Sequence, residues 1–287
     1  MNCDYWTISV VVPTYNRAET LLRALESVVI QTVPVNEVIV VDDGSTDDTA
    51  KSVTDYFPNV RYIFQTRKGV SAARNRGILT AKSQWIAFLD SDDEWLPNKL
   101  AVQIQALTEQ PQYSICHTDE IWIRNGKRVN PMKKHRKYGG HIFKKCLPLC
   151  SISPSSVIIK RNVFDDIGYF DETLPACEDY DLWLRICAKY PVLFVDSQLI
   201  KKYGGHDDQL SRAHWGMDRF RIYALEKIIR DNELASDDYE TAIDIVLQKI
   251  GIYLMGAKKR GRNDDVLEFE RKKQRHLIEL NKCRLNR

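Results

Sequence analysis

Three groups of carboxylates carry the chemistry open to this sequence. Asp42 and Asp43 follow the apolar run Val38 to Val41. Asp90, Ser91, Asp92 and Asp93 follow Trp85 to Leu89. Glu178 and Asp179, with Asp181 close behind, open an amphipathic stretch. An apolar run that stops abruptly at several acids delivers them together at the end of a buried strand. In open α/β sheets ligands sit outside those ends, and Mg²⁺ or Mn²⁺ takes one or two protein carboxylates plus phosphate oxygens. Each group alone has a plain reading in turn formation, capping or complementing a helix dipole. Three in one chain ask for a common explanation.

The segments that would position these acids alternate in type. Ile8 to Val12 is a β-branched run that reads as a buried parallel strand, ended by Pro13-Thr14-Tyr15-Asn16. Leu21, Leu22, Leu25, Val28 and Val29 recur at helical spacing over about 18–31, and Val38 to Val41 gives a second strand. A helix opening at Thr46, with Asp47 and Asp48 in its first turn, precedes a third strand over Val60 to Phe64. The small-residue segment GVSAARNRGILTAKS from Gly69 reads as a helix leading into the strand that carries Asp90, and Pro97 opens another helix. This alternation predicts a parallel sheet with right-handed crossovers. Neither the Gly-x-Gly-x-x-Gly fingerprint nor the Gly-x-x-x-x-Gly-Lys-Ser/Thr loop is present, so phosphate must be neutralised by something other than a glycine cradle.

Further along, Tyr113 to Thr118, Ser155 to Lys160 and Val192 to Val195 read as strands, separated by a basic section over 121–150 and a helix opening at Glu178. Beyond Tyr203-Gly204-Gly205-His206 the pattern is helical, over about 215–231, 237–257 and 264–281.

Composition bounds the class. The 287 residues are 44% hydrophobic and 28% charged, enough to bury a substantial core. Lys+Arg 42 against Asp+Glu 39 leaves a formal charge of +3, too balanced to argue for nucleic acid. No apolar stretch approaches the roughly 20 residues that span a bilayer, and the first residues lack a signal-peptide layout. A cytoplasmic protein is expected. The seven cysteines include no Cys-x-x-Cys pair, which argues against structural zinc.

The blocks VVVPTYNR, VVDDGSTDDT, GVSAARNRG, FLDSDDEW and CEDYDLWLR, in this order over about 8–210, resemble glycosyltransferase family 2. These are inverting enzymes of the GT-A, or nucleotide-diphospho-sugar transferase, fold. The resemblance implies an α/β domain with a mixed, mostly parallel sheet and a C-terminal helical extension. It places a catalytic domain over 1–210, with nucleotide-sugar binding to about 110 and the acceptor side beyond, and the extension over 211–287.

It further implies that Pro13, Thr14, Tyr15 and Asp43 border the nucleoside, Asp43 accepting a hydrogen bond from uracil, while Asp42 supports the turn. Arg74 offsets charge on the diphosphate; its structural alternative is an ion pair on the helix surface. Asp90, with Ser91 beside it, and Asp92 match the family's Asp-x-Asp, Asp92 as the direct ligand of Mg²⁺ or Mn²⁺ and Asp90 toward the ribose or the ion. Asp93 helps or caps a turn. Asp179 matches the catalytic base, with Glu178 assisting the acceptor and Asp181 structural, and His206 lies where related enzymes bring a mobile loop to the metal or diphosphate.

The implied partners are a uridine diphosphate sugar as donor and a carbohydrate or lipid-linked glycan as acceptor, in surface polysaccharide or lipopolysaccharide assembly. The alternatives are a nucleotidyltransferase, which lacks its usual glycine-rich basic loop in PTYNR, and a non-catalytic nucleotide-sugar-binding module, against which Glu178-Asp179 argues. The basic clusters KKRGR (258–262) and RKKQR (271–275) leave the extension open to packing, an oligomer contact or weak contact with a membrane surface, a solvated face being the favoured reading because Glu268 and Glu270 interrupt the charge.

Overall fold

The computed structural model describes residues 6–205, 214–231 and 234–285. Its chain falls into two compact units: Met1–His141, Ser151–Pro175 and Tyr190–His206 form the first, and Ile142–Cys150, Ala176–Lys189 and Asp207–Arg287 the second. The division does not follow a single cut near residue 210. The chain leaves the first unit and returns to it twice, so the segment opening at Glu178 groups with the C-terminal helices.

The first unit is built on one sheet. β1 (Ile8–Thr14) is buried along its whole length, as its β-branched run requires of a central strand. It pairs in parallel with β2 (Glu37–Asp42) on one side and β4 (Trp85–Phe88) on the other, Val11 standing opposite both Ile39 and Phe88. β3 (Arg61–Phe64) extends the parallel set beyond β2. The connecting helices are α1 (Ala18–Val29), α2 (Thr49–Tyr56), α3 (Val70–Thr80) and, after the short β5 (Glu94–Trp95), α4 (Lys99–Glu109). The small residues of α3 have a steric cause: a Cβ at Gly77 would stand 2.3 Å from Cγ1 of Val11, so the helix lies directly on β1.

The sheet continues through β6 (Ile115–Arg124), β7 (Lys127–Val129), β8 (Ile158–Lys160) and β9 (Leu193–Gly204), in the order β3-β2-β1-β4-β8-β6-β9-β5 with β7 hairpinned to β6. β8 runs antiparallel to both β4 and β6, whereas β6 and β9 are parallel. The sheet is thus mixed, with β3, β2, β1 and β4 all parallel, as expected.

Several boundaries differ from the sequence reading. β6 runs six residues past Thr118, through a register shift around Asp119, and buries Glu120. Part of the basic section is therefore a hairpin, closed by Asn125 and Gly126 with φ of 48° and 73° as a two-residue primed turn demands. α2 begins at Thr49, not Thr46, since Asp47 accepts from the Thr49 amide outside the helix (3.1 Å). α4 begins two residues after Pro97.

Inside the sheet-and-helix core, Lys99 is fully buried against the Trp95 ring, its Nζ 4.0 Å from the ring centre and 2.8 Å from Oε1 of Gln103. Burial pulls its pKa down to about 7.

The second unit is helical: the single turn α5 (Phe143–Cys146), α7 (Glu178–Lys189), α8 (Asp218–Arg230), α9 (Ser236–Lys259) and α10 (Asn263–Leu285), α6 (Asn162–Ile167) belonging to the first unit. Packing runs from α5 to α7, α7 to α8, α8 to α9 and α9 to α10. Ile222, Leu225, Ile243, Val246, Ile250 and Leu254 supply buried apolar contacts of α8 and α9.

Candidate active site

The candidate residues gather at the carboxyl ends of β1, β2 and β4, where strand order reverses around β1. At the end of β1, Thr14 is buried and its Oγ1 has no hydrogen-bond partner among the described residues. Tyr15 lies under the guanidinium of Arg67, 3.9 Å from its ring centre, and its hydroxyl accepts from Nη1 of Arg67 at 2.8 Å. Asn16 turns the chain with φ of 49° and ties it to the loop after β2, its Oδ1 accepting from the Thr46 amide.

The two acids after β2 divide their work. Asp42, fully buried, accepts from the Ser45 amide (2.7 Å) and from the Tyr62 hydroxyl, so it holds the turn and binds β3 to it; burial and then the Asp42 contact push the Tyr62 pKa upward. Asp43 accepts from Nε2 of Gln65 and the amides of Lys68 and Gly69 at 2.7–2.8 Å. It anchors the loop leading into α3. Of the about four acceptor positions of a carboxylate, one is left for a ligand.

The third group spreads outward from β4. Asp90 pairs through Oδ1 with Nη2 of Arg74 at 2.7 Å, and Arg74 is buried, stacked 5.1 Å from the Phe170 ring centre. This corrects the surface-pair alternative for Arg74, because α3 turns that face inward onto the sheet. Asp92 pairs through Oδ2 with Nη1 of Arg17 at 2.8 Å, while its carbonyl accepts from Nη2 of Arg23 at 2.6 Å. Asp93 points inward: it accepts from the Ser155 hydroxyl (2.6 Å) and the Tyr203 amide (3.0 Å), tying the loop after β4 to β9. Burial above all, then the charges of Asp92 and Asp90, hold its pKa well above the usual carboxylate range. Ser91 is buried in the same turn.

Arg17, Arg23 and Arg67 were not singled out by sequence reasoning, although Arg17 stands inside PTYNR. Arg17, Arg23 and Arg74 bring guanidiniums from the loop before α1, from α1 and from α3 to Asp92 and Asp90, while Arg67 lies over Tyr15; planar forks of this kind match phosphate oxygens bidentately.

Among the described residues no group of three or more His, Cys, Asp or Glu side chains is arranged to hold an ion. Asp90 and Asp92 nevertheless suit Mg²⁺ or Mn²⁺ held jointly with phosphate, which needs only one or two carboxylates. Both are partly exposed, and each keeps one oxygen outside its arginine pair. His206 lies outside the described residues.

In the second unit, Cys177 takes φ of 64° and α7 opens at Glu178 and Asp179. Oδ1 of Asp179 accepts from the Tyr180 amide at 2.7 Å and Oδ2 from the Cys150 thiol at 3.2 Å, leaving the carboxylate fixed and half-buried at a helix N-terminus. Glu178 is buried beside it. Asp181 is buried and bridges Arg185 (2.7 Å) and Lys227 (3.1 Å), a structural role joining α7 to α8.

The model for the family described as Glycosyl transferase family 2 matches residues 9–168. An uncharacterized glycosyltransferase of Rickettsia felis is 31% identical over 201 residues, covering 68% of this chain and 33% of that one. The chain thus spans about a third of the length of that relative. The Escherichia coli protein WfgD, named as a UDP-Glc:alpha-D-GlcNAc-diphosphoundecaprenol beta-1,3-glucosyltransferase, is 28% identical over 263 residues, covering 89% of this chain and 96% of WfgD. Among solved structures, S. aureus TarS 1-349 in complex with UDP-GlcNAc superposes with a TM-score of 0.63 at 20% identity, over 94% of this chain and 92% of that one. The likeness is one of fold.

Proposed function

The chain belongs to glycosyl transferase family 2, and on that premise we propose that it transfers a sugar, with inversion, from a uridine diphosphate sugar to a hydroxyl of a carbohydrate or lipid-linked glycan. The pathway proposed is surface polysaccharide or lipopolysaccharide assembly, at the cytoplasmic side of a membrane. WfgD, whose name gives a UDP-glucose donor and a diphosphoundecaprenol-linked acceptor, supports this choice of substrates.

The observation that carries the reading is the set of arginine–carboxylate pairs at the ends of β1 and β4, Arg74 with Asp90 and Arg17 with Asp92. A site that already opposes fixed cations to carboxylates can exchange those pairs for a diphosphate when donor binds. Asp43 would accept from the uracil edge with its remaining oxygen position, and the Thr14 hydroxyl is a second polar group awaiting a partner. Mg²⁺ or Mn²⁺ held by Asp90 and Asp92 would supply Lewis-acid neutralisation of the departing diphosphate. Arg17 and Arg74 would turn to the phosphate oxygens.

Asp179 acts as the base. As the acceptor oxygen forms its bond to the anomeric carbon, the bond from that carbon to the donor phosphate oxygen breaks, and the hydroxyl proton passes to the carboxylate of Asp179. One displacement inverts the centre. Glu178 is placed to assist acceptor binding from the same helical turn.

The test is release of nucleoside diphosphate from a panel of nucleotide sugars, with and without candidate acceptors and with and without excess chelator. Turnover confined to uridine diphosphate donors and abolished by chelator is expected. Full activity in chelator would remove the metal from this account, and no release from any donor would remove the transferase reading itself.

A further inference from the structure

The second unit holds a cleft of about 190 Å³, lined by Trp215, Asp218, Arg221, Tyr253, Gly256 and Arg260. It is smaller than the roughly 300–1,000 Å³ of ordinary small-molecule pockets, room for a compact head group and not for a nucleotide sugar.

Its charge is one-sided. Arg221 and Arg260 line the cleft with Asp218, Lys249 pairs with Asp218, and Arg262 stands over the Trp215 wall beside Asp265. Asp218 is already shared between Arg221 (2.9 Å) and Lys249 (3.5 Å), and Asp265 accepts from Nε of Arg262 (2.5 Å) and the Tyr253 hydroxyl (3.1 Å). The positive excess is thus not cancelled locally.

The cations are also held in place. The guanidiniums of Arg260 and Arg262 stand 5.3 and 4.4 Å from the Trp215 ring centre, and Nη1 of Arg260 donates to the Gly256 carbonyl at 3.1 Å. The buried Nε of Arg221 has no hydrogen-bond partner among the described residues. Two glycines keep the space open. Gly256 lies inside α9, where glycine weakens a helix, and a Cβ there would meet Nη1 of Arg260 at 3.5 Å and Trp215 at 3.9 Å. Gly216 has φ of 68°, and a Cβ would stand 2.7 Å from the Tyr253 ring.

We propose that this cleft binds a phosphate or diphosphate group carried by the acceptor. The proposal deepens the transferase reading and rests on it for the word acceptor. Its placement suits that role. Met217, on the cleft lining, is contacted through its carbonyl by the Cys177 thiol at 4.0 Å, and Cys177 immediately precedes Glu178 and Asp179. A diphosphate seated here would hold an acceptor sugar beside the base by its charged end, in the fork geometry that guanidiniums offer to phosphate.

Two measurements on the full chain test it. In the first, inorganic pyrophosphate is titrated into protein saturated with uridine diphosphate. Binding is expected in the wild type, weakened at least tenfold in Arg260→Ala and abolished in Arg260→Glu, with uridine diphosphate affinity unchanged in both. Arg260 is exposed, so neither change removes core packing. Pyrophosphate affinity equal in all three proteins overturns the proposal.

In the second, the KM for a diphosphate-linked acceptor is compared with that for the same sugar lacking phosphate. Arg260→Ala is expected to raise the first at least tenfold and to leave the second, and kcat, unchanged. An equal effect on both acceptors overturns the proposal, and pyrophosphate binding without any acceptor discrimination reduces the cleft to a site for the free anion. Absence of transfer with every acceptor counts against the transferase reading, while the pyrophosphate titration still decides the anion site.

Discussion

At the scale of single residues, the candidate donor site is a set of acids distinguished by what already occupies each one. Asp42 and Asp93 are spent on structure, Asp43 is nearly spent, and Asp90 and Asp92 each face one arginine and keep one oxygen outside the pair. This separates binding from chemistry. Asp92→Ala is expected to weaken uridine diphosphate binding about tenfold in the presence of Mg²⁺, roughly 1.4 kcal/mol, yet to bind as wild type does in chelator, where Asp92 holds no ion. Asp179→Asn should leave binding within about twofold while turnover falls by about 10²–10⁴, the usual contribution of a general base. Calorimetric titration beside single-turnover kinetics reads both. Equal loss of binding in the two variants would show the roles to be wrongly assigned.

Elements explain why the site is where it is, and one of them carries a cost. α4 places Lys99 in the core with Gln103 as its one hydrogen-bond partner among the described residues, and burial lowers its pKa to about 7 from the ordinary value near 10.4. Between those values the unfolded chain holds a proton that the folded chain has released. Stability contributed by this residue therefore rises with pH from about 7 to about 10.4 and is flat below, where both states are protonated and the burial penalty is complete. Lys99→Met keeps the volume and removes the charge. It is expected to raise Tm at pH 6.5 by at least about 2 °C and to flatten the rise relative to wild type between pH 7 and 10. Parallel stability–pH curves for the two proteins would mean that water or a rearranged Gln103 already solvates the amine.

For the whole molecule, the helical second unit carries the basic clusters, and much of their charge is answered at home. Lys258 pairs with Glu270 (2.9 Å), Arg262 with Asp265 (2.5 Å), and Lys272 and Arg275 with Glu226 (2.7 and 2.6 Å). Burial opposes the charge of Glu226, but His276 and Lys272 outweigh it and hold its pKa at about 2. No helix among the described residues is long and apolar enough to cross a membrane, while Ile252, Met255 and Leu267 are exposed. With Lys259, Arg271 and Lys273 outside these pairs, and about 1 kcal/mol per basic residue near an anionic surface, the expected association with anionic vesicles is weak at low salt and lost at physiological salt. Cosedimentation decides it. Tight binding that survives salt would point to an inserted apolar face.

The sequence by itself determined the parallel strands β1 to β4 and the acids that follow β2 and β4, because apolar, β-branched-rich runs and abrupt acidic stops are local signals. It also identified Asp42 as a turn support, and it assigned the chain to its family through five ordered blocks. It missed the continuation of β6, where Glu120 is a charged residue buried inside a strand. It also missed Arg17, Arg23 and Arg67, whose partners lie 52 to 75 residues away in the chain or, for Arg23, across to Tyr203. Charge pairing over such separations leaves no mark in spacing. The same holds for α7, which groups with the C-terminal helices because Asp181 meets Lys227 and the aromatic and apolar faces of α5, α7 and α8 pack together. Only tertiary structure could decide which acids are spent on the fold and which remain for a ligand, since that depends on who stands opposite each carboxylate.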